Sequence, residues 1–188
     1  IVTGEFECSN PLINRLQHNI RWGEIGNFLL IPTDCPQRNE RMGWTGDMQV
    51  FAKTGAYNVN IKSFIDKWLD DLIDAQTMYN KNGAVPDTAP LGGDNRIDGC
   101  GGGGDAATIV PWEMYETYGD IRILKKCYDM MKKWVEYQSS TDRRNYGVRT
   151  VDGKEVPEQS DLATIPYIQV QQCRGDHLTY DNSTPYIY

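Results

Sequence analysis

The feature that most constrains the fold of this 188-residue chain is a helical pattern of apolar residues that recurs along much of its length. The clearest example is NIKSFIDKWLDDLIDAQTMYN, residues 60–80. Its apolar residues follow the i, i+3, i+4, i+7 spacing of one helix face. They are Ile61, Phe64, Ile65, Trp68, Leu69, Leu72 and Ile73. Charged residues fill most of the other face, so the segment predicts a helix that buries one side.

Similar patterns predict five helices in succession. They are expected near residues 10–22, 46–57, 60–78, 105–118 and 120–138. Gly119 is expected to end the fourth helix, and Asp120 to cap the fifth. No strand pair is expected before residue 145, but the Asp152-Gly153 turn signal predicts a small hairpin. Five amphipathic helices favour an all-α protein, either a bundle or a helical toroid.

Composition excludes several classes of partner. The net charge of −7, without a cluster of Lys and Arg, argues against nucleic acid. No apolar run approaches the roughly 18 residues of a membrane span. Five widely spaced cysteines without a C-x-x-C pair give no zinc pattern, and no metal or cofactor is expected. The length suits a single domain over 1–188, and the compartment is left open between cytoplasmic and periplasmic or secreted.

The most heavily charged stretch is TDCPQRNERMGWTGD, residues 33–47. Pro36 disfavours helix at the residue before it, so the stretch begins as a loop. Considered singly, each acid has a structural explanation. Asp47 would stabilise the start of the following helix, and Glu40 would form a surface ion pair with a neighbouring arginine.

Considered together, the three carboxylates and the tryptophan favour a sugar site. Asp34, Glu40 and Asp47 can accept hydrogen bonds from ring hydroxyls in fixed directions. The indole of Trp44 can cover the apolar face of a sugar ring. One of the acids can donate a proton to a glycosidic oxygen. The stretch therefore predicts a carbohydrate partner.

The segment IPTDCPQRNERMGWTGDMQVFA, residues 31–52, resembles the most characteristic segment of the bacterial α-L-rhamnosidases of glycoside hydrolase family 78. The resemblance continues through GAVPDTAP (83–90), GDAATIVPWEMYETYGD (104–120) and GDHLTYDNSTP (175–185). The family's catalytic domain resembles an (α/α)6 barrel with a sugar pocket at one end. The resemblance therefore implies a partial (α/α)6 barrel of antiparallel amphipathic helices, the N-terminal half of a larger catalytic domain.

The resemblance also implies a role for each matching residue. Glu40 corresponds to the catalytic general acid. Asp34, Arg38 and Asp47 correspond to groups that hydrogen-bond the rhamnose hydroxyls. Trp44 corresponds to an aromatic residue of the pocket.

Two further substrate-binding candidates lie later in the chain. Asp105 is expected at the rim of the pocket. His177 replaces a family tryptophan, and either donates a hydrogen bond to the sugar or fills the space of the larger ring. Gly103 also replaces a family tryptophan, two residues before Asp105. Both replacements bear on the affinity and specificity for rhamnose.

The mechanism that the resemblance implies is inverting. One carboxylic acid protonates the leaving oxygen while a second carboxylate activates water on the opposite face of the sugar. For Glu40 to be an acid at neutral pH, its pKa has to be raised by burial or by a nearby carboxylate. Asp34 and Asp47 would act in this direction, and Arg38 would oppose it.

Five helices are about half of what an (α/α)6 barrel needs, and no segment matches the family's general base. The isolated chain is therefore expected to be inactive. Its partners are expected to be the remaining half of the barrel or a second copy of the chain. The apolar faces expected to need them are marked by Phe64, Ile65, Trp68, Leu72, Met131 and Trp134.

Three functions are compatible with these residues. The first is an α-L-rhamnosidase that cleaves terminal α-L-rhamnosyl residues. The second is a non-catalytic, degenerate half-barrel that binds sugar, which the missing base and the two replaced tryptophans favour. The third is another (α/α)6 glycosidase with a different sugar specificity. The retained Asp34, Glu40 and Asp47 favour the first.

Overall fold

The computed structural model describes residues 2–35, 37–91 and 99–139, together with the backbone of two short strands. The helices within these residues are α1 Pro11–Asn27, α2 Thr45–Asn58, α3 Lys62–Tyr79, α4 Gly101–Gly104, α5 Ala106–Tyr118 and α6 Ile121–Ser139. The strands are β1 Val148–Val151 and β2 Lys154–Pro157. The predicted all-α class is confirmed, with one small hairpin added to the helices.

The hairpin also follows the sequence prediction. β1 and β2 pair antiparallel, with Val151 opposite Lys154. The two residues between them are the Asp-Gly pair that favours a tight hairpin turn. At the junction of α5 and α6, Gly119 adopts a left-handed φ of 67°, and Asp120 accepts a hydrogen bond from the backbone N–H of Arg122.

The first helix is longer than predicted. It is capped by Asn10, whose side chain accepts the N–H of Leu12, and it continues to Asn27 rather than ending near residue 22. Two glycines in its last turns each cost about 1 kcal/mol of helix propensity. The extended end of α1 makes a tertiary contact, because the buried Glu24 accepts a hydrogen bond from Asn58 of α2.

The glycine-rich segment that precedes Asp105 contains a helical turn, α4. Its glycines allow close approach to neighbouring elements. A Cβ on Gly104 would lie 2.3 Å from the Trp134 ring, and one on Gly103 would lie 3.1 Å from Thr45 Oγ1. Glycine carries no periodic signal, so tertiary packing decides the conformation of this segment.

The core lies among α2, α3, α5 and α6, with α5 packed against both α2 and α6. Its largest fully buried side chains include Trp68, Leu72, Met114 and Trp134. Two faces expected to need outside partners, at Trp68 and Trp134, are thus covered within the chain. The expectation was wrong there because α3 and α6 pack within the same core.

Large apolar side chains are exposed at many of the described positions, and seven of them lie on or just after α1. They are Leu12, Ile13, Leu16, Trp22, Ile25, Leu29 and Leu30. No helix among the described residues is long and apolar enough to cross a membrane. The helix α1 therefore carries an exposed apolar surface that needs an explanation.

Candidate active site

The charged loop between α1 and α2 is closed by a pair of hydrogen bonds at its two ends. The backbone N–H of Asp34 donates to the carbonyl of Met42 at 3.1 Å, and the N–H of Met42 donates back to Asp34 Oδ1 at 2.8 Å. Within the loop, Cys35 and Arg41 adopt φ angles of 37° and 56°. Such left-handed conformations cost energy in residues with a side chain and persist where surrounding contacts enforce them.

A second segment, residues 83–90, holds the end of this loop in place. The N–H of Ala89 donates to the carbonyl of Gly43 at 2.9 Å, and the N–H of Thr45 donates to the carbonyl of Asp87 at 2.9 Å. Thr88 forms an antiparallel bridge with Trp44 between these bonds. The resemblance to the family in both segments thus has a structural basis, because the two segments pair.

The carboxylate of Glu40 accepts hydrogen bonds on both oxygens. Trp44 Nε1 donates to Oε1 at 3.0 Å. Arg38 binds Oε2 through Nε at 2.7 Å and Nη2 at 2.5 Å. The Arg38 side chain is 61% exposed and that of Glu40 is 22% exposed. The carboxylate is therefore held between a fixed aromatic donor and an exposed cation.

The electrostatics of this arrangement oppose the expected acid. The pKa of Glu40 lies below its usual range, first because of the hydrogen bond from Arg38 and next because of side-chain contacts with Asp34 and Trp44. The expectation that the neighbouring Asp34 would raise the pKa of Glu40 is wrong, because Arg38 and Asp34 both lower it through side-chain hydrogen bonds. Glu40 is accordingly a carboxylate, ready to accept hydrogen bonds.

Asp34, Cys35 and Glu40 lie close enough for one potential metal ligand atom of each to fall within 4.8 Å of the others. All three are partly exposed. Because Glu40 already accepts bonds from Trp44 and Arg38, this geometry gives no argument for a metal ion.

A concavity of about 810 Å³ opens between α1, the charged loop and α2. Asp34 and Asp47 both line it, together with Cys35 and the buried Glu24. Its apolar lining residues are Ile20, Phe28, Pro32, Met48, Val50 and Phe51. Glu40 and Trp44 are not among the lining residues. The structure therefore brings the predicted residues together in two adjoining groups that share Asp34.

The remaining candidates lie elsewhere. Asp105, at the start of α5, accepts a hydrogen bond from Trp134 Nε1 of α6 at 2.9 Å. Burial raises its pKa, which the bond from Trp134 partly offsets. Asp105 is not among the residues that line the concavity, and its observed contact joins two helices. His177 lies outside the described residues.

Comparison with known proteins identifies the family of this chain. Residues 2–159 match the model of the bacterial alpha-L-rhamnosidase 6 hairpin glycosidase domain. The chain belongs to this family. The resemblance seen in the sequence is confirmed, and the helices fit the family's (α/α)6 toroid.

Individual relatives agree. The chain is 48% identical over 135 residues to an alpha-L-rhamnosidase of Streptomyces avermitilis, and 46% identical over 142 residues to one of Formosa agariphila. These alignments cover 72% and 74% of this chain, but 13% and 15% of the relatives. The chain thus spans about a seventh of the length of the curated relatives it matches.

Solved structures give the same result. The structure of the Streptomyces avermitilis alpha-L-rhamnosidase complexed with L-rhamnose superposes with a TM-score of 0.71 at 44% identity, covering 81% of this chain and 14% of that one. The alpha-L-rhamnosidase of Dictyoglumus thermophilum gives a TM-score of 0.68 at 42% identity, covering 72% and 15% of the two chains.

In this member of the rhamnosidase family, the glycine at position 103 has a local explanation. It lies against the start of α2, where an added Cβ would be 3.1 Å from Thr45 Oγ1 and 3.8 Å from the nitrogen of Gly46. A tryptophan at this position, expected from the resemblance, would therefore need the Thr45 side chain to move by a few tenths of an ångström. The replacement changes the packing beside the charged loop.

One unusual residue, Glu24, is not among the candidates predicted from the sequence. It is 4% exposed, its Oε2 accepts a hydrogen bond from Asn58 Nδ2 at 3.2 Å, and its Oε1 has no partner among the described residues. Burial raises its pKa to about 7, against the smaller lowering effects of Asn58 and Arg21. In a helix extended past residue 22, its spacing from Gln17 and Ile20 places it on an inward face.

Proposed function

We propose that this chain is the acid-bearing part of an α-L-rhamnosidase that hydrolyses terminal α-L-rhamnosides with inversion. The proposal is carried by one observation: the carboxylate of Glu40 is bound between Arg38 and Trp44, beside Asp34, in a member of the rhamnosidase family. This group joins a hydrogen-bonding cation, two acids and an aromatic ring at the edge of a concavity.

Each side chain has a distinct proposed task. Glu40 protonates the glycosidic oxygen as its bond to the sugar breaks. Asp34 and Asp47 accept hydrogen bonds from sugar hydroxyls at the concavity that they line. Arg38 donates to the sugar through its exposed guanidinium, and the ring of Trp44 packs against the sugar while its N–H orients Glu40.

The catalytic cycle also needs a base. In an inverting enzyme, a second carboxylate about 6.5–9.5 Å from the acid activates the attacking water. No segment of this chain matches the family's base. We therefore propose that residues 1–188 are part of a larger (α/α)6 catalytic domain, and that the base comes from its remaining helices. No cofactor takes part in this hydrolysis.

The second candidate function, a sugar-binding domain without catalysis, is favoured by the electrostatics of Glu40. A carboxylate with a lowered pKa accepts hydrogen bonds well and is a poor proton donor at neutral pH. Two further observations also favour a non-catalytic function. Asp105 is hydrogen-bonded by Trp134, and position 103 carries glycine in place of the family's aromatic residue.

Hydrolysis of an aryl α-L-rhamnoside separates these functions. The full-length protein is expected to release the phenol and β-L-rhamnose, with the anomer followed by NMR before mutarotation. Residues 1–188 alone are expected to be inactive. Binding of L-rhamnose by the full-length protein without hydrolysis would favour the non-catalytic function, and hydrolysis of other aryl glycosides in preference would favour a different sugar.

A further inference from the structure

The hydrogen bonds of Glu40 leave neither oxygen positioned to deliver a proton. Oε1 accepts from Trp44, and Oε2 accepts from two nitrogens of Arg38. A general acid must carry its proton on an oxygen that faces the leaving group. A guanidinium only donates hydrogen bonds and stays charged, so a proton on Oε2 would face other donors. With Arg38 in this position, Glu40 is held as a carboxylate.

The two donors differ in how firmly they are held. Trp44 is fixed through its backbone, which bridges to Thr88, and through the neighbouring bond from Ala89 to Gly43. Arg38 lies in the turn at 37–39, with its side chain 61% exposed. Among the described residues, Glu40 is the only acceptor that its guanidinium binds. Arg38 is therefore the donor that can withdraw from Glu40 without disturbing the fold.

Resting on the proposed function, we propose that Arg38 is a positioning residue that holds Glu40 unprotonated until a sugar engages the guanidinium and thereby frees Oε2 to take up a proton. The proton comes from the solvent and is added to Oε2, because Trp44 keeps its bond to Oε1. It then passes to the glycosidic oxygen as the bond to the anomeric carbon breaks. Glu40 returns to a carboxylate and binds Arg38 again.

The groups that face Glu40 are consistent with this order of events. Asp34 and Cys35 face it from the start of the loop, and Arg38 and Trp44 face it from its other sides. The hydrogen bond to Asp34 raises the pKa of the Cys35 thiol, which keeps it neutral. Arg38 is the largest cause of the lowered pKa of Glu40. Once it withdraws, the largest influence that lowers the pKa of Glu40 is removed.

Proton uptake on sugar binding tests the proposal without requiring turnover. Binding of L-rhamnose to the full-length protein is measured by calorimetry, between pH 5 and 7, in buffers that differ in ionisation enthalpy. The wild type is expected to take up as much as one proton per sugar at the most favourable pH. Glu40→Gln should abolish the uptake, and Arg38→Gln should reduce it because Glu40 is then partly protonated before the sugar binds.

Arg41→Gln is the matched control, since Arg41 is exposed, adjoins Glu40 and makes no ion pair with it among the described residues. Its proton uptake should equal that of the wild type. Sugar binding without proton uptake in the wild type, or uptake that survives in Glu40→Gln, would overturn the gating role of Arg38. Failure of the wild type to bind L-rhamnose would instead overturn the proposed function itself.

The pH profiles of hydrolysis provide a second readout. The basic limb of kcat/KM reports the protein before sugar binds, and that of kcat reports the complex. In the wild type the basic limb of kcat is expected to lie about one to three pH units above that of kcat/KM. This is the usual effect on a carboxyl pKa of removing an adjacent positive charge, here that of Arg38. Arg38→Gln should bring the limbs together, while Arg41→Gln should keep them apart. Coincident limbs in an active wild type would refute the proposal.

Discussion

The indole N–H of Trp44 points at Oε1 of Glu40 from 3.0 Å, four residues away along the loop that enters α2. An aromatic residue expected only to stack on a sugar thus also orients the proposed acid. The two contributions are separable, because phenylalanine retains a ring but has no N–H.

Replacement of Trp44 by phenylalanine should therefore lower kcat more than it raises KM. A hydrogen bond to a charged group is worth about 1.5–3 kcal/mol, which corresponds to roughly a 10- to 100-fold effect. Trp44→Ala should in addition raise KM, because the ring surface is lost. Steady-state kinetics on an aryl α-L-rhamnoside checks this. Equal KM values for the two variants would show that the ring does not contact the sugar.

Glu40→Gln in the full-length protein should lower kcat by about 10²–10⁴-fold, the usual contribution of a general acid. Binding of L-rhamnose should change little, since the amide keeps the shape and one acceptor of the carboxylate. Asp47→Asn should mainly weaken binding. The decisive substrate is one with a poor leaving group. Near-normal turnover of this substrate by Glu40→Gln would show that Glu40 is not the general acid.

Glu24 should make stability depend on pH between its ordinary pKa of 4.5 and its raised pKa of about 7. In this window the folded protein binds more protons at Glu24 than the unfolded chain does, so stability is lost as the pH rises. A pKa that is higher by one in the folded state than in the unfolded state corresponds to about 1.4 kcal/mol. Glu24→Gln should flatten this part of the curve.

Urea unfolding at pH 4.5 and pH 8 measures the effect of Glu24, since these values bracket the window between its two pKa values. The control is Glu116→Gln, on the exposed side of α5. If Glu24→Gln loses as much stability between these pH values as the wild type, Glu24 is ionised in the folded protein without cost.

Two glycine-to-alanine substitutions should have opposite effects. At Gly104 the new methyl group would lie 2.3 Å from the buried Trp134 ring, and overpacking of this kind costs about 1–3 kcal/mol. At Gly26, in the last turn of α1, no atom lies within 4 Å of the new Cβ. Gly26→Ala should stabilise by up to about 1 kcal/mol. Thermal unfolding of both variants in parallel checks the sign of each change.

Residues 1–188 alone should self-associate through α1. Large exposed apolar patches favour association, and this helix exposes Leu12, Leu16 and Trp22 among others. Sedimentation velocity is expected to show dimers or larger species. Leu16→Lys with Trp22→Gln should reduce them, whereas Val135→Lys, at an exposed position of α6, should not. A monomeric wild-type chain would contradict the prediction.

Most of the helices could be predicted from the sequence because their signal is local. The spacing of apolar residues around Trp68 requires no knowledge of the neighbours, and Gly119 and Asp120 mark a boundary by their own backbone preferences. The charged loop was also recognisable, since Asp34, Glu40 and Trp44 stand together in one short segment.

The outcomes of competition between partners could not be predicted in this way. Arg38 and Arg41 both flank Glu40 in sequence, and only the folded loop selects Arg38. The burial of Glu24 depends on Asn58, more than thirty residues away. The contact of Asp105 with Trp134 joins two helices whose relative placement no local pattern encodes. In each case the tertiary structure decides which of several possible partners the side chain contacts, and the local sequence does not distinguish between them.

The backbone pairing of residues 43–45 with residues 87–89 makes the site a late product of folding. Thr45 and Asp87 are separated by 42 positions, and both α2 and α3 must form and fold back before they meet. Closing a loop of this length is an entropic cost that local helix formation does not share. A nascent chain that has emerged only to residue 80 carries Asp34, Glu40 and Trp44 but lacks the strand-like partner that orders them. The proposed acid would therefore acquire its geometry only after α3 has formed and residues 87–89 have paired with residues 43–45.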